Sequence, residues 1–172
     1  MPRPSPSDYP AFYETYVRLV PEEDLATALE ASLGQLSADL SRIPQEMQDH
    51  AYAEGKWSIR QLIQHAIDTE RVFAYRALCI ARGEEQPLPG FDENAYAANA
   101  DVSHRPLGEM SSEFESLRRS NLSMFKGFTE NMLQSSGTAA GKPVTVLAIG
   151  YMTIGHWRHH AGILRERYGL PV

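Results

Sequence analysis

The sequence predicts an all-α fold, a bundle of four long amphipathic helices. Three observations predict it. Four stretches carry apolar residues every three or four positions, none alternates apolar and polar residues as a half-buried strand would, and helix start and stop residues punctuate them.

After a Pro-rich start and a short aromatic segment, Phe12 to Tyr16, the first stripe is Leu25, Leu29, Leu33, Leu36, Leu40 and Ile43, and Pro44 ends it. The second helix opens at Ser58, which forms a capping box with Gln61, and runs to about Ala81 before Gly83. Its stripe is Ile59, Leu62, Ile63, Ala66, Phe73, Ala74 and Ala77. Residues Arg82 to Pro106 hold Pro87, Pro89, Gly90 and Pro106 without helical periodicity, so they read as a long functional or mobile loop covering one end of the bundle. Met110, Phe114, Leu117, Met124, Phe125 and Phe128 mark the third helix. A polar stretch, Ser135 to Gly141, separates it from a fourth helix that runs from about Val144 to Tyr168 and stops at Gly169.

A chain of 172 residues fits one domain, 1–172, with a substantial buried core and no internal repeat. Its 16 basic and 22 acidic residues give a formal net charge of -6 with no basic stripe, which argues against nucleic acid as a partner. The N-terminus lacks an apolar signal core, and no window approaches the ~18 apolar residues of a membrane span, so a soluble cytoplasmic protein is expected. Cys79 is the single cysteine, which rules out an internal disulfide and a cysteine-based zinc site. Any metal must be held by nitrogen and oxygen.

Six histidines are available. With Val146 at zero and ~100° per residue, His156 falls near ~280° and His160 near ~320°, inside the apolar face set by Ile149, Thr153, Trp157, Ile163 and Leu164. Two histidines at i and i+4 on one face can converge on a single ion. His65, at the margin of the second helix's stripe, is the candidate third ligand from a facing helix. Hydrogen-bonded core histidines are the alternative, although three buried imidazoles without a cation would need several polar partners. His159 lies at the edge of the face and reads as a flanking residue, while His50 and His104 fall in loop-like segments and read as solvated.

Glu70 falls in the centre of the second helix's stripe, where a carboxylate needs a partner. An ion pair with Arg118 or Arg119 accounts for it, and a role as a catalytic base beside a metal is the alternative. Asp68 projects away from the core. Arg76 lies on His65's side of the helix, ~16 Å along it, where a salt bridge or an anionic substrate would use its charge. Cys79 is ~21 Å from His65 by the same arithmetic and is read as a partly buried thiol rather than a ligand. Trp57 and Trp157 read as core or pocket-lining aromatics, and Phe91-Asp-Glu-Asn94 as packing or as a lid over the metal.

The stretch from Tyr52 through Trp57-Ser-Ile and His65-Ala-Ile-Asp-Thr-Glu-Arg71 to Arg76, the Pro89-Gly-Phe-Asp-Glu-Asn94 segment and Gly155-His-Trp-Arg-His-His160 together resemble the DinB-like superfamily. The likeness is to its subgroup labelled metal-dependent hydrolases and covers most of the chain. The resemblance implies an up-down-down-up four-helix bundle, commonly a homodimer, with a three-histidine site for one divalent ion of nickel, zinc or iron. His65, His156 and His160 take those three positions. Characterised relatives include thiol S-transferases using bacillithiol or mycothiol and a mycothiol-dependent maleylpyruvate isomerase. The implied function is a metal-dependent enzyme that activates a low-molecular-weight thiol, as an S-transferase, or water, as a hydrolase, upon a small-molecule substrate. The alternatives are a non-catalytic metal-binding module for stress response or dimerisation, and a bundle whose histidines are core residues only.

Overall fold

The computed structural model describes residues 3–172. In chain order its elements are α1 (Glu14–Val17), α2 (Leu25–Ser41), α3 (Ile59–Ala81), α4 (Glu93–Asn99), α5 (Leu107–Lys126), α6 (Glu130–Gln134), β1 (Ser136–Ala139), β2 (Lys142–Thr145) and α7 (Val146–Tyr168). The four long helices, α2, α3, α5 and α7, are those the apolar stripes predict. Each of α2 and α3 packs on both α5 and α7, so α2 and α3, consecutive in the chain, stand diagonally across the up-down-down-up bundle.

The helix ends follow from local chemistry. Asp24 caps α2 through Thr27 N, and Ser58 and Gln61 form the expected capping box on α3. Thr145 caps α7 through Ala148 N, and Gly169 ends it in the left-handed conformation, φ 69°, that a residue with a Cβ adopts at a cost.

Two features exceed what periodicity predicts. The polar stretch before α7 is an antiparallel hairpin, β1 with β2, and Leu88 joins its edge by donating to Thr138 O (2.8 Å) and accepting from Ala140 N (3.0 Å). Residues 82–106 are therefore tied down at Leu88, carry α4, and are anchored again where Arg60 Nη1 donates to the carbonyls of Val102, Ser103 and Arg105. The sequence also predicts one buried face on the last helix, yet every residue from Val146 to Trp157 is buried. The reason is α1, which lies directly on the outer face of α7. Gly155 permits that approach: a Cβ there would stand 2.1 Å from the Tyr16 carbonyl oxygen.

The core divides into two apolar clusters, one around Leu29, Phe73 and Ile149 and one around Leu36, Ile63, Phe114 and Trp157. Within the bundle Arg118 forks onto Glu70, Nε to Oε1 at 2.8 Å and Nη2 to Oε2 at 2.6 Å. Ser32 Oγ accepts from Arg118 Nη1 (2.8 Å), and Asn121 donates to Glu70 (3.0 Å), so one closed polar network links α2, α3 and α5.

Candidate metal centre

His65 is on α3, and His156 and His160 stand one turn apart on α7, the helix α3 packs against. Among the described residues these three form the single cluster of His, Cys, Asp and Glu in which every member offers an atom within 4.8 Å of the others. His156 Nε2 lies 3.2 Å from His65 Nε2 and 3.1 Å from His160 Nε2. Three nitrogens held ~2.0–2.1 Å from one ion at the tetrahedral angle would stand roughly 3.3 Å apart, close to what the imidazoles adopt.

Burial leaves these imidazoles neutral. It pushes His65 down to about 4, while Glu93 opposes the shift, and it holds His156 and His160 well below the usual histidine range, with the neighbouring histidines adding to it. Neutral imidazoles carry the lone pairs a metal takes. Left to themselves they are poorly matched: one N–H serves one pair of nitrogens, so a third nitrogen faces its neighbours without a proton to share. The donor set therefore fits a divalent cation. His160 Nδ1, on the far side of its ring, is buried with no hydrogen-bond partner, and a cation at the Nε2 atoms would not supply one.

The cluster forms one end of a cavity of about 260 Å³. Tyr16 reaches it from α1, its ring 5.2 Å from His156, and burial raises its phenol to about 12, so it stays protonated. Trp57 lies 4.8 Å from His65 and Phe73 6.0 Å from His156, ring to ring. Thr69, Arg76, Phe91 and Glu93 complete the walls used below. The three imidazole nitrogens converge beside a cavity, so an ion held by them would have its remaining coordination positions facing open space.

The other candidates fall into place around it. Glu70 is held by Arg118 and Asn121 and does not line the cavity; of the two partners weighed for it, Arg118 makes the pair. Asp68, expected to project into solvent, is half-buried: it accepts from Gln64 Nε2 (2.9 Å) and burial raises its carboxyl. Arg76 has no carboxylate within ion-pair reach among the described residues and instead donates to Pro89 O (2.7 Å), so the salt bridge expected of it is absent. His159 stands beside Tyr16 and His160, ring centroids 5.3 Å from each, and its neutral form is favoured by burial. His50 and His104 are exposed, and Cys79 packs partly buried against the core. Trp157 is core, its indole donating to Asp39 (3.0 Å), whereas Trp57 lines the cavity. Phe91 and Glu93 line the cavity as well, Phe91 beside Arg76 and Glu93 close enough to His65 to act on its charge. Two further wall residues escaped the sequence reading. Thr69 was findable, four residues after His65 on the same face; Tyr16 carried no local signal, because its place depends on α1 crossing α7.

The profile of the DinB superfamily matches residues 28–164. Over 109 residues the chain is 28% identical to "Putative metal-dependent hydrolase OB0413" of Oceanobacillus iheyensis, an alignment covering 63% of this chain and 62% of that protein. Two solved structures share the fold. YfiT from Bacillus subtilis, described as "a probable metal-dependent hydrolase with an unusual four-helix bundle topology", superposes with a TM-score of 0.71 at 17% identity, over 97% of this chain and 93% of that one. The mycothiol-dependent maleylpyruvate isomerase gives 0.60 at 18% identity, over 89% of this chain and 60% of that one. The chain thus spans less than two thirds of the Oceanobacillus relative and of the isomerase. No helix of the described residues is long and apolar enough to cross a membrane. With a profile match over most of its length and the bundle shared with YfiT, the chain belongs to the DinB superfamily.

Proposed function

We propose that the chain is a metal-dependent enzyme acting on a small molecule, with one divalent ion held by His65, His156 and His160. The observation that carries this reading is the convergence of three neutral imidazoles, two of them buried and His65 half-buried, at one end of a largely aromatic cavity. Bound there, a divalent ion supplies Lewis-acid chemistry, lowering the pKa of water or of a thiol. The chain's own residues do the rest. Tyr16, Trp57 and Phe73 exclude bulk water, and α3 and α7 fix the imidazoles relative to each other.

The two reactions differ in their need for a base. Hydrolysis requires a proton acceptor, and Glu93, the carboxylate lining the cavity, fits that role better than Glu70, whose oxygens Arg118 and Asn121 already occupy. Thiol transfer requires room for a small thiol, and the isomerase sharing this fold is mycothiol-dependent. The adjoining cavity speaks against a non-catalytic metal store, which would close its site. A homodimer is part of the same reading, tested by light scattering of the purified protein.

The deciding measurement is metal content by plasma mass spectrometry on untagged protein. Wild type and His159→Ala are expected to hold about one ion per chain, and His65→Ala and His160→Ala to lose it. Wild type that stays empty after incubation with nickel, zinc or iron would sink the reading. A loaded protein then goes to parallel thiol-transfer and ester-hydrolysis screens.

A further inference from the structure

We infer that Arg76, with Thr69, forms an anion-binding subsite at the far end of the cavity, so that the ligand is a small organic carboxylate whose other end reaches the histidine cluster. The choice of the cluster as the reactive end rests on the function proposed above; the subsite itself does not.

One face of α3 presents His65, Thr69, Phe73 and Arg76 on successive turns, and all four line the same cavity. Eleven residues separate His65 from Arg76, roughly 16 Å along the axis. Three arginines among the described residues are buried, and they are treated differently. Arg118 is forked onto Glu70, and Arg60 is paired with Asp49 and three backbone carbonyls. Arg76 is 5% exposed yet has a single hydrogen bond, Nη2 to Pro89 O at 2.7 Å, and no carboxylate within ion-pair reach among the described residues. A guanidinium offers five N–H donors, and no protein group beyond Pro89 O uses those of Arg76, so an incoming anion would meet donors that are free to engage it.

The guanidinium is also held in place. Pro89 O belongs to the segment that Leu88 pins to the hairpin, and the Phe91 ring lies 5.9 Å from the guanidinium carbon. Preorganisation of this kind lowers the cost of binding. Thr69 adds a second unmet group in the same cavity: its Oγ1 is buried without a hydrogen-bond partner. A carboxylate fits better than a phosphate because one guanidinium supplies one positive charge, Glu93 lines the same cavity, and the chain carries a net charge of -6.

The test is calorimetric titration of the purified, metal-analysed protein with hexanoate, hexan-1-ol and hexyl phosphate. Hexanoate should bind at least about tenfold more tightly than hexan-1-ol and no less tightly than hexyl phosphate. Arg76→Gln, which keeps a donor for Pro89 O, should erase the preference for hexanoate over hexan-1-ol while leaving metal content and melting temperature near wild type. Thr69→Val should weaken hexanoate about fivefold. The subsite is overturned if wild type does not distinguish hexanoate from the alcohol, or if Arg76→Gln binds hexanoate as wild type does; tighter hexyl phosphate overturns the carboxylate class. Wild type that stays empty after incubation with nickel, zinc or iron yet prefers hexanoate through Arg76 keeps the subsite and removes the metal reading, and loaded protein without the preference does the reverse.

Discussion

The bundle buries two polar clusters, and they are built on opposite terms. Around Glu70 and Arg118 donors and acceptors are matched: both carboxylate oxygens are engaged, and Arg118 reaches Glu70, Ser32 and the Thr153 carbonyl. Around His65, His156 and His160 like faces like at the three Nε2 atoms, and the nearby Thr69 hydroxyl has no partner. Buried polar groups are normally satisfied because leaving one unmet costs about 1–3 kcal/mol. The closed cluster accordingly belongs to the fold. The unmet one lies against the cavity, where something from outside can complete it.

The contrast can be broken first at its closed end. Arg118→Met strands a buried carboxylate and should cost about 3–5 kcal/mol in urea unfolding, whereas Glu70→Leu with Arg118→Met should recover most of that loss. A small effect of the single change would mean that the network is not the strut described here. At the open end, metal supplied at a hundredfold excess over its dissociation constant should stabilise wild type by about 2.7 kcal/mol, and a chelator should reverse the gain. Thermal melts of His65→Ala should show neither change.

A pH series on chelated protein probes the same cluster without metal. Burial holds His65 at about 4 in the folded chain against 6.5 for the free side chain. Between those values the unfolded chain binds the extra proton, so stability present above pH 6.5 is lost as pH falls toward 4. His65 alone contributes at most about 1.4 kcal/mol per pH unit, and the slope should flatten in His65→Gln. Smallest is Thr69→Val, which replaces an unmet hydroxyl with a methyl group and should raise stability by about 1 kcal/mol in the ligand-free protein. A loss instead would reveal a partner for that hydroxyl.

Local order along the chain was enough for the four helices, because each stripe repeats at the helical period and caps such as Ser58 with Gln61 and the stop at Gly169 act within a turn. It was enough, too, to put His156 and His160 on one face and to flag Glu70 as a carboxylate in need of a partner. Tertiary structure alone decided the remainder. A stripe on α3 does not state which stripe it will meet, so the 3.2 Å approach of His65 to His156 exists because α3 packs on α7. The all-round burial of α7, the placement of Tyr16, the hairpin that steadies Pro89 and the missing counter-ion of Arg76 likewise depend on segments distant in sequence. Periodicity and capping are interactions across a few residues and leave a mark in the sequence, whereas the meeting of two faces and the charges left unpaired between them are properties of the assembled chain.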